Sequence, residues 1–188
     1  AVQEERRLRV DNQPYGPADE RFGELFYSNF AYQHSTIGSM EDLNAASVAD
    51  VAEFFKTYYA PNNAVLTLVG DFKPDAAMAL LRRYFEDIPR QAEPPAVDLS
   101  EPEQKAERRE TMTDRLARAT QVQLAYKTPI GNHPDVYALR VLSSVLQQGD
   151  SSRLYQTLNK EKELVINVGG FVDERIGRVP DIASIEIV

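Results

Sequence analysis

The sequence predicts an α+β protein made of two successive halves joined by a linker. Three observations predict it. Apolar residues recur at three- and four-residue spacing in several segments of helical length. Short apolar runs of strand type follow such segments on both sides of the middle of the chain. Between them, residues 88–107 carry Pro89, Pro94, Pro95 and Pro102 among charges, with few large apolar groups, which is linker chemistry. Residues 1–87 therefore read as the later part of one α+β domain, 88–107 as the linker, and 108–188 as the beginning of another.

The elements follow in order. Residues 1–10 lack Gly and Pro, are rich in helix formers, and read as the end of a longer helix. Asp11-Asn12-Gln13-Pro14-Tyr15-Gly16-Pro17 is a turn. Residues 18–30 form a helix with Phe22, Leu25, Phe26, Asn29 and Phe30 on one stripe. Ser47, with Asp50 three positions on, caps the next helix, whose buried stripe is Val48, Val51, Ala52, Phe55, Tyr58 and Tyr59. Residues 64–69 read as a buried strand closed by Gly70-Asp71. A single glycine there is too little for a phosphate-holding turn. Pro74 opens a helix over 75–87 with Ala77, Leu80, Leu81, Tyr84 and Phe85 on its apolar face. Beyond the linker, 108–113 and 120–126 read as strands, the second alternating Val122, Leu124 and Tyr126. His133-Pro134-Asp135 starts a helix carrying Tyr137, Leu139, Val141, Leu142, Val145 and Leu146, ended by Gly149. Ser151 or Ser152 caps a further helix to about residue 163. Strand-like runs over 164–172 and 182–188 close the chain around a polar turn at 173–180.

The 188 residues, 43% hydrophobic and 27% charged, can bury a sizeable core. A net charge of -8 and a pI near 4.9 exclude a sequence-independent grip on nucleic acid or on an anionic membrane. No apolar run approaches the roughly 20 residues that span a bilayer, so no membrane span is expected. No signal peptide is read in this piece, and both ends look cut. Cysteine is absent, which rules out disulfides and thiolate chemistry but does not identify the compartment.

Candidate chemistry is sparse. Glu4 and Glu5 point about 100° apart around their helix, and beside Arg6 and Arg7 they read first as a solvated charged face. His34 falls in a loop and His133 before a helix, far apart in sequence. A catalytic zinc needs about three protein ligands and an open position, and no His-x-x-Glu-His occurs.

Four phrases stand in a telling order. Behind Val2-Gln3-Glu4-Glu5-Arg6-Arg7 they are Asp11-Asn12-Gln13-Pro14-Tyr15-Gly16-Pro17, Tyr32-Gln33-His34-Ser35-Thr36-Ile37-Gly38, Tyr58-Tyr59-Ala60-Pro61-Asn62-Asn63-Ala64 and Val69-Gly70-Asp71, and Gly149-Asp150-Ser151-Ser152-Arg153-Leu154-Tyr155 adds a more specific motif further on. This order resembles the M16 metallopeptidases, the pitrilysin and insulinase clan with an inverted zinc motif, and most of all their shorter bacterial and mitochondrial-processing type. The resemblance covers essentially the whole chain. It implies two homologous α+β halves: 1–87 as the later part of the zinc-bearing half, and 108–188 as the beginning of the second. It implies that Glu5 is the third zinc ligand, with Glu4 its neighbour. The histidine pair and the general-base glutamate would lie upstream, so this chain reads as a fragment that is inactive and zinc-free by itself. Active members carry an Arg and a Tyr on Leu-Arg-x-x-x-x-Leu-x-Tyr. Here Leu158-Asn159 through Leu164-Val165-Ile166 matches that phrase, with Asn159 in place of the arginine and Ile166 in place of the tyrosine. The resemblance thus implies a zinc endopeptidase subunit acting on peptides, paired with a homologous partner subunit, or a homodimer, that supplies Arg and Tyr. A non-catalytic scaffold is the alternative. Bacterial relatives are often exported, so a periplasmic location is expected, with the cytoplasm as the alternative.

Overall fold

The computed structural model describes residues 1–173 and 180–188. The chain divides into two compact units, Met40–Val97 and the combination of Ala1–Ser39 with Asp98–Val188.

In the larger unit, α1 (Val2–Arg6) runs on into a π-helical turn, Arg7–Asp11. The turn at Tyr15 breaks the run: Tyr15 is left-handed, with φ 65°, a strained setting for an aromatic residue. Its N–H donates to Asp114 Oδ2 at 2.6 Å and its hydroxyl donates to the Ala119 carbonyl at 2.9 Å. Gly16 follows because a Cβ there would meet the Val10 carbonyl oxygen at 2.2 Å. Helix α2 (Gly16–Phe26) stops earlier than its stripe predicts. Asn29 accepts the Ala31 N–H at its side chain and starts a separate short helix, α3 (Phe30–Gln33), leaving Phe30 exposed.

The smaller unit holds α4 (Met40–Ala45), α5 (Val48–Tyr58) and α6 (Pro74–Phe85). The capping box at Ser47 and Asp50 forms as the sequence predicts. The buried faces do not. Val48 is 88% exposed and Val51, Phe55, Tyr59, Leu80 and Tyr84 are all exposed. Residues 64–69 form no strand, and Val65 stands 95% exposed. An apolar run becomes a strand only against a neighbour that takes its backbone hydrogen bonds, and the described residues of this unit offer none.

A three-stranded antiparallel sheet, ordered β1-β3-β2, serves the larger unit: β1 (Val122–Ile130), β2 (Val168–Gly169) and β3 (Pro180–Ile187). Val122 pairs with Ile187, Leu124 with Ile185 and Tyr126 with Ala183. The register shifts between Lys127 and Ile130, where Pro129 cannot donate to the ladder. The predicted strand over 108–113 is absent, and that over 164–172 shrinks to β2 and a bridge from Val172 to Ala183. Part of the predicted turn at 173–180 lies outside the described residues. Helix α7 (Asp135–Gln147) buries Val136, Ser143 and Gln147, not Tyr137, Val141, Leu142 and Val145. The buried stripe lies one position away from the most apolar one, and on it Gln147 donates to the Ser184 carbonyl of β3 at 2.8 Å. Helix α8 (Arg153–Tyr155) continues as a second π-helical turn, Gln156–Glu161.

The core is Phe26, Tyr27 and Ile182, with Tyr32 and Ala125 packed against it. Lys127 places its ammonium 5.8 Å from the Phe26 ring centroid. These contacts draw residues 1–39 and 98–188 together, whereas the sequence divides the chain at 88–107. Within that stretch the side chain of Glu101 is buried and accepts the N–H groups of Ser28 and Asn29 at 2.9 Å each. Asn29 in turn donates to the carbonyls of Asp98 and Ser100. The second part of the Pro-rich stretch is therefore anchored to α2 and α3 and packs as part of the larger unit.

Candidate metal-ligand site at Glu5

Helix α1 carries Glu4 and Glu5 on adjacent positions, and the two side chains have different surroundings. Glu5 lines an open cavity of about 400 Å³ with Val2, Arg9 and Val10 of the same segment and Thr36 and Ile37 opposite. Its Oε1 lies 3.1 Å from Arg9 Nε, both side chains being well exposed. Glu4 is not among the lining residues and pairs outward with Arg7 at 3.1 Å. An exposed pair of this kind contributes little, so Arg9 is a displaceable partner. Glu5 is an oxygen donor on a concave wall, which suits one place in a metal's ligand set.

Arg6, the next residue, is 12% exposed at its side chain. It donates to both oxygens of Glu20, at 2.9 and 2.7 Å, and to the Gly38 carbonyl at 2.6 Å. Ser35 Oγ donates to Glu20 at 2.6 Å. The Arg6 hydrogen bond, above all, holds the Glu20 carboxyl below its ordinary value despite partial burial. By sequence alone Arg6 reads as one charge of a solvated face. The missing signal was the partner, fourteen residues away on another helix.

The histidines stand apart from this cavity. His34 Nδ1 donates to the Phe30 carbonyl at 2.6 Å, and its ring stacks on Phe30 at 4.8 Å. His133 Nδ1 accepts the Asp135 N–H at 3.2 Å. Among the described residues no group of three or more His, Cys, Asp or Glu side chains is placed to hold a metal ion.

In the other predicted motif, Gly149 adopts φ 74° and the Ser152 N–H donates to its carbonyl at 3.1 Å, turning the chain into α8. Asn159 donates its amide to the Val165 and Ile166 carbonyls at 2.8 and 3.1 Å. Ile166 is 70% exposed. The two residues standing where the resemblance expects Arg and Tyr thus meet each other, the first holding the backbone of the second.

The described residues thus hold an α+β scaffold with Glu5 on a cavity wall and a formed turn at Gly149–Ser152. A family model described as "Peptidase M16 inactive domain" matches residues 45–178. This chain belongs to the M16 peptidase family. Zinc protease PqqE of Helicobacter pylori is 34% identical over 165 residues, covering 87% of this chain and 37% of its own length. An uncharacterized zinc protease of Mycobacterium tuberculosis is 28% identical over 173 residues, covering 92% and 39%. The crystal structure of a protease from Helicobacter pylori superposes with a TM-score of 0.84 at 29% identity, over 99% of this chain and 45% of that one. The chain thus spans less than half the length of these relatives. No helix among the described residues is long and apolar enough to cross a membrane.

Proposed function

We propose that this chain is part of a zinc-dependent endopeptidase subunit of the shorter M16 type, hydrolysing peptides, in which Glu5 supplies one carboxylate ligand. The observation that carries this is the difference between neighbours: Glu5 lines the cavity and Glu4 does not. The relatives named zinc proteases support it. In this reading the other ligands and the general base lie upstream, as the resemblance implies, and complete the roughly three protein ligands of a catalytic zinc. Residues 1–87 belong to the zinc-bearing half and 108–188 to the second, homologous half. A homologous subunit, or a second copy, supplies the Arg and Tyr that Asn159 and Ile166 do not. A periplasmic location goes with this reading, and cell fractionation tests it.

The test compares Glu5→Gln with Glu4→Gln in the full-length protein, measuring zinc content after dialysis and peptide cleavage. Glutamine keeps the shape and removes the charge, so Glu5→Gln loses zinc and activity together while Glu4→Gln keeps both. Zinc retained by Glu5→Gln overturns the reading. By the same ligand count, the 188-residue chain alone binds no stoichiometric zinc and cleaves nothing.

The engagement of Asn159 with the Ile166 backbone favours a second reading, a non-catalytic scaffold subunit. The segment upstream decides between them: an intact His-x-x-Glu-His goes with the enzyme and a decayed one with the scaffold.

A further inference from the structure

The Glu5 cavity has two walls. One is the helical segment carrying Val2, Glu5, Arg9 and Val10, and the other is the pair Thr36-Ile37. Ser35 and Gly38 bracket that pair, and both are tied to one guanidinium. Arg6 holds Gly38 directly through its carbonyl, and holds Ser35 through Glu20, whose Oε1 accepts from both. Asp11 stands 3.5 Å from the same guanidinium and adds to its negative surroundings. The Arg6–Glu20 contact is a two-pronged, charge-assisted pair with little exposure at either end, the geometry in which arginine fixes direction as well as distance.

We infer that Arg6 is a positioning residue, which fixes the separation of the two walls and so the place of the Glu5 carboxylate opposite Thr36 and Ile37. The inference rests on the reading that Glu5 works in this cavity. A lysine at position 6 would bring one point charge to Glu20 and could not hold both carboxylate oxygens and the Gly38 carbonyl in a fixed fork. Glu20→Gln would break the same device from its other end.

The experiment uses the full-length protein, first without metal. These 188 residues hold no cysteine; with any cysteine elsewhere in the full-length protein first replaced by serine, spin labels at Leu8→Cys and Thr36→Cys report the wall separation. The parent gives one narrow distance distribution. Arg6→Gln and Glu20→Gln broaden it, Arg6→Lys broadens it less, and Arg7→Gln, whose partner is the exposed Glu4, leaves it unchanged. Chelator competition on the zinc-loaded protein then shows affinity weakened about tenfold in Arg6→Gln with circular dichroism unchanged. The Arg6→Gln/Glu20→Gln double variant is no worse than either single one, because the two act as a unit. If Arg6→Gln does not fold, Arg6→Lys is read in its place. An unchanged distance distribution in a folded Arg6 variant overturns the positioning role, whatever zinc does. Zinc kept by Glu5→Gln overturns the ligand reading, whatever the labels show.

Discussion

Glu101 shows how much one side chain can decide. It sits among prolines and charges, yet its carboxylate is wholly buried, 2.5 Å from the Lys127 ammonium and accepting two backbone N–H groups. Burial by itself would push its pKa up. Lys127 and the Ser28 and Asn29 amides outweigh that and hold it below the ordinary carboxylate value. A depressed folded-state pKa contributes stability that is present above the ordinary carboxylate range and is lost as pH falls through the folded value. Glu101→Gln leaves Lys127 buried without its counter-charge, a loss of about 3 kcal/mol at neutral pH. Urea midpoints across an acid pH series should therefore converge, the variant losing less on acidification than the parent. Parallel curves over the whole series would contradict this. Glu20 shifts in the same direction through Arg6, so some acid sensitivity remains in the variant.

At the scale of elements, helices without a covered face depend on their ends. Helix α5 buries none of its residues, so little packing offsets the entropy of ordering it. Its capping box satisfies orphan amides at the N-terminus: Ser47 Oγ accepts the Asp50 N–H, and Asp50 accepts the Ser47 N–H at 2.8 Å. Removing it by Ser47→Ala costs about 1 kcal/mol locally. Hydrogen exchange in the first turn of α5 should speed up about fivefold, the equivalent of that energy, while β1 and β3 keep their protection. Equal acceleration in the sheet would mean that the two units open together and would refute the local assignment.

For the whole molecule, the Pro-rich stretch has two parts with different fates. Residues 98–107 carry Asp98, Leu99 and Ser100 carbonyls that accept from Asn29 and Tyr32, followed by the buried Glu101. Residues 88–97 end the smaller unit, where Arg90 and Glu93 pair with each other in the open. Limited proteolysis of the full-length protein with a non-specific protease should cut first in 88–97, the more exposed backbone. Mass spectrometry of the earliest fragments checks it, and first cuts between 98 and 107 would show that the Glu101 anchor does not hold.

The sequence by itself determined what depends on neighbours along the chain. The Ser47 cap, the turn at Gly149 and the alternation of β1 are short-range physics, and the structure contains them, although Val122, Leu124 and Tyr126 of β1 take its exposed side. The order of four phrases was enough to point to the M16 family. The resemblance tells Glu5 from Glu4, and in the structure Glu5 pairs with Arg9 and Glu4 with Arg7. What only the tertiary structure decided depends on partners far away in the chain. Arg6 became a buried clamp through Glu20 and Gly38, Glu101 an anchor through Lys127, and Tyr15 a strained turn held by Asp114. The same dependence explains the failures: residues 64–69 have strand composition but no neighbour to pair with, and the apolar stripe of α5 has nothing over it. Periodicity tells which residues can be buried; burial itself requires a second surface, and that surface is supplied by the fold.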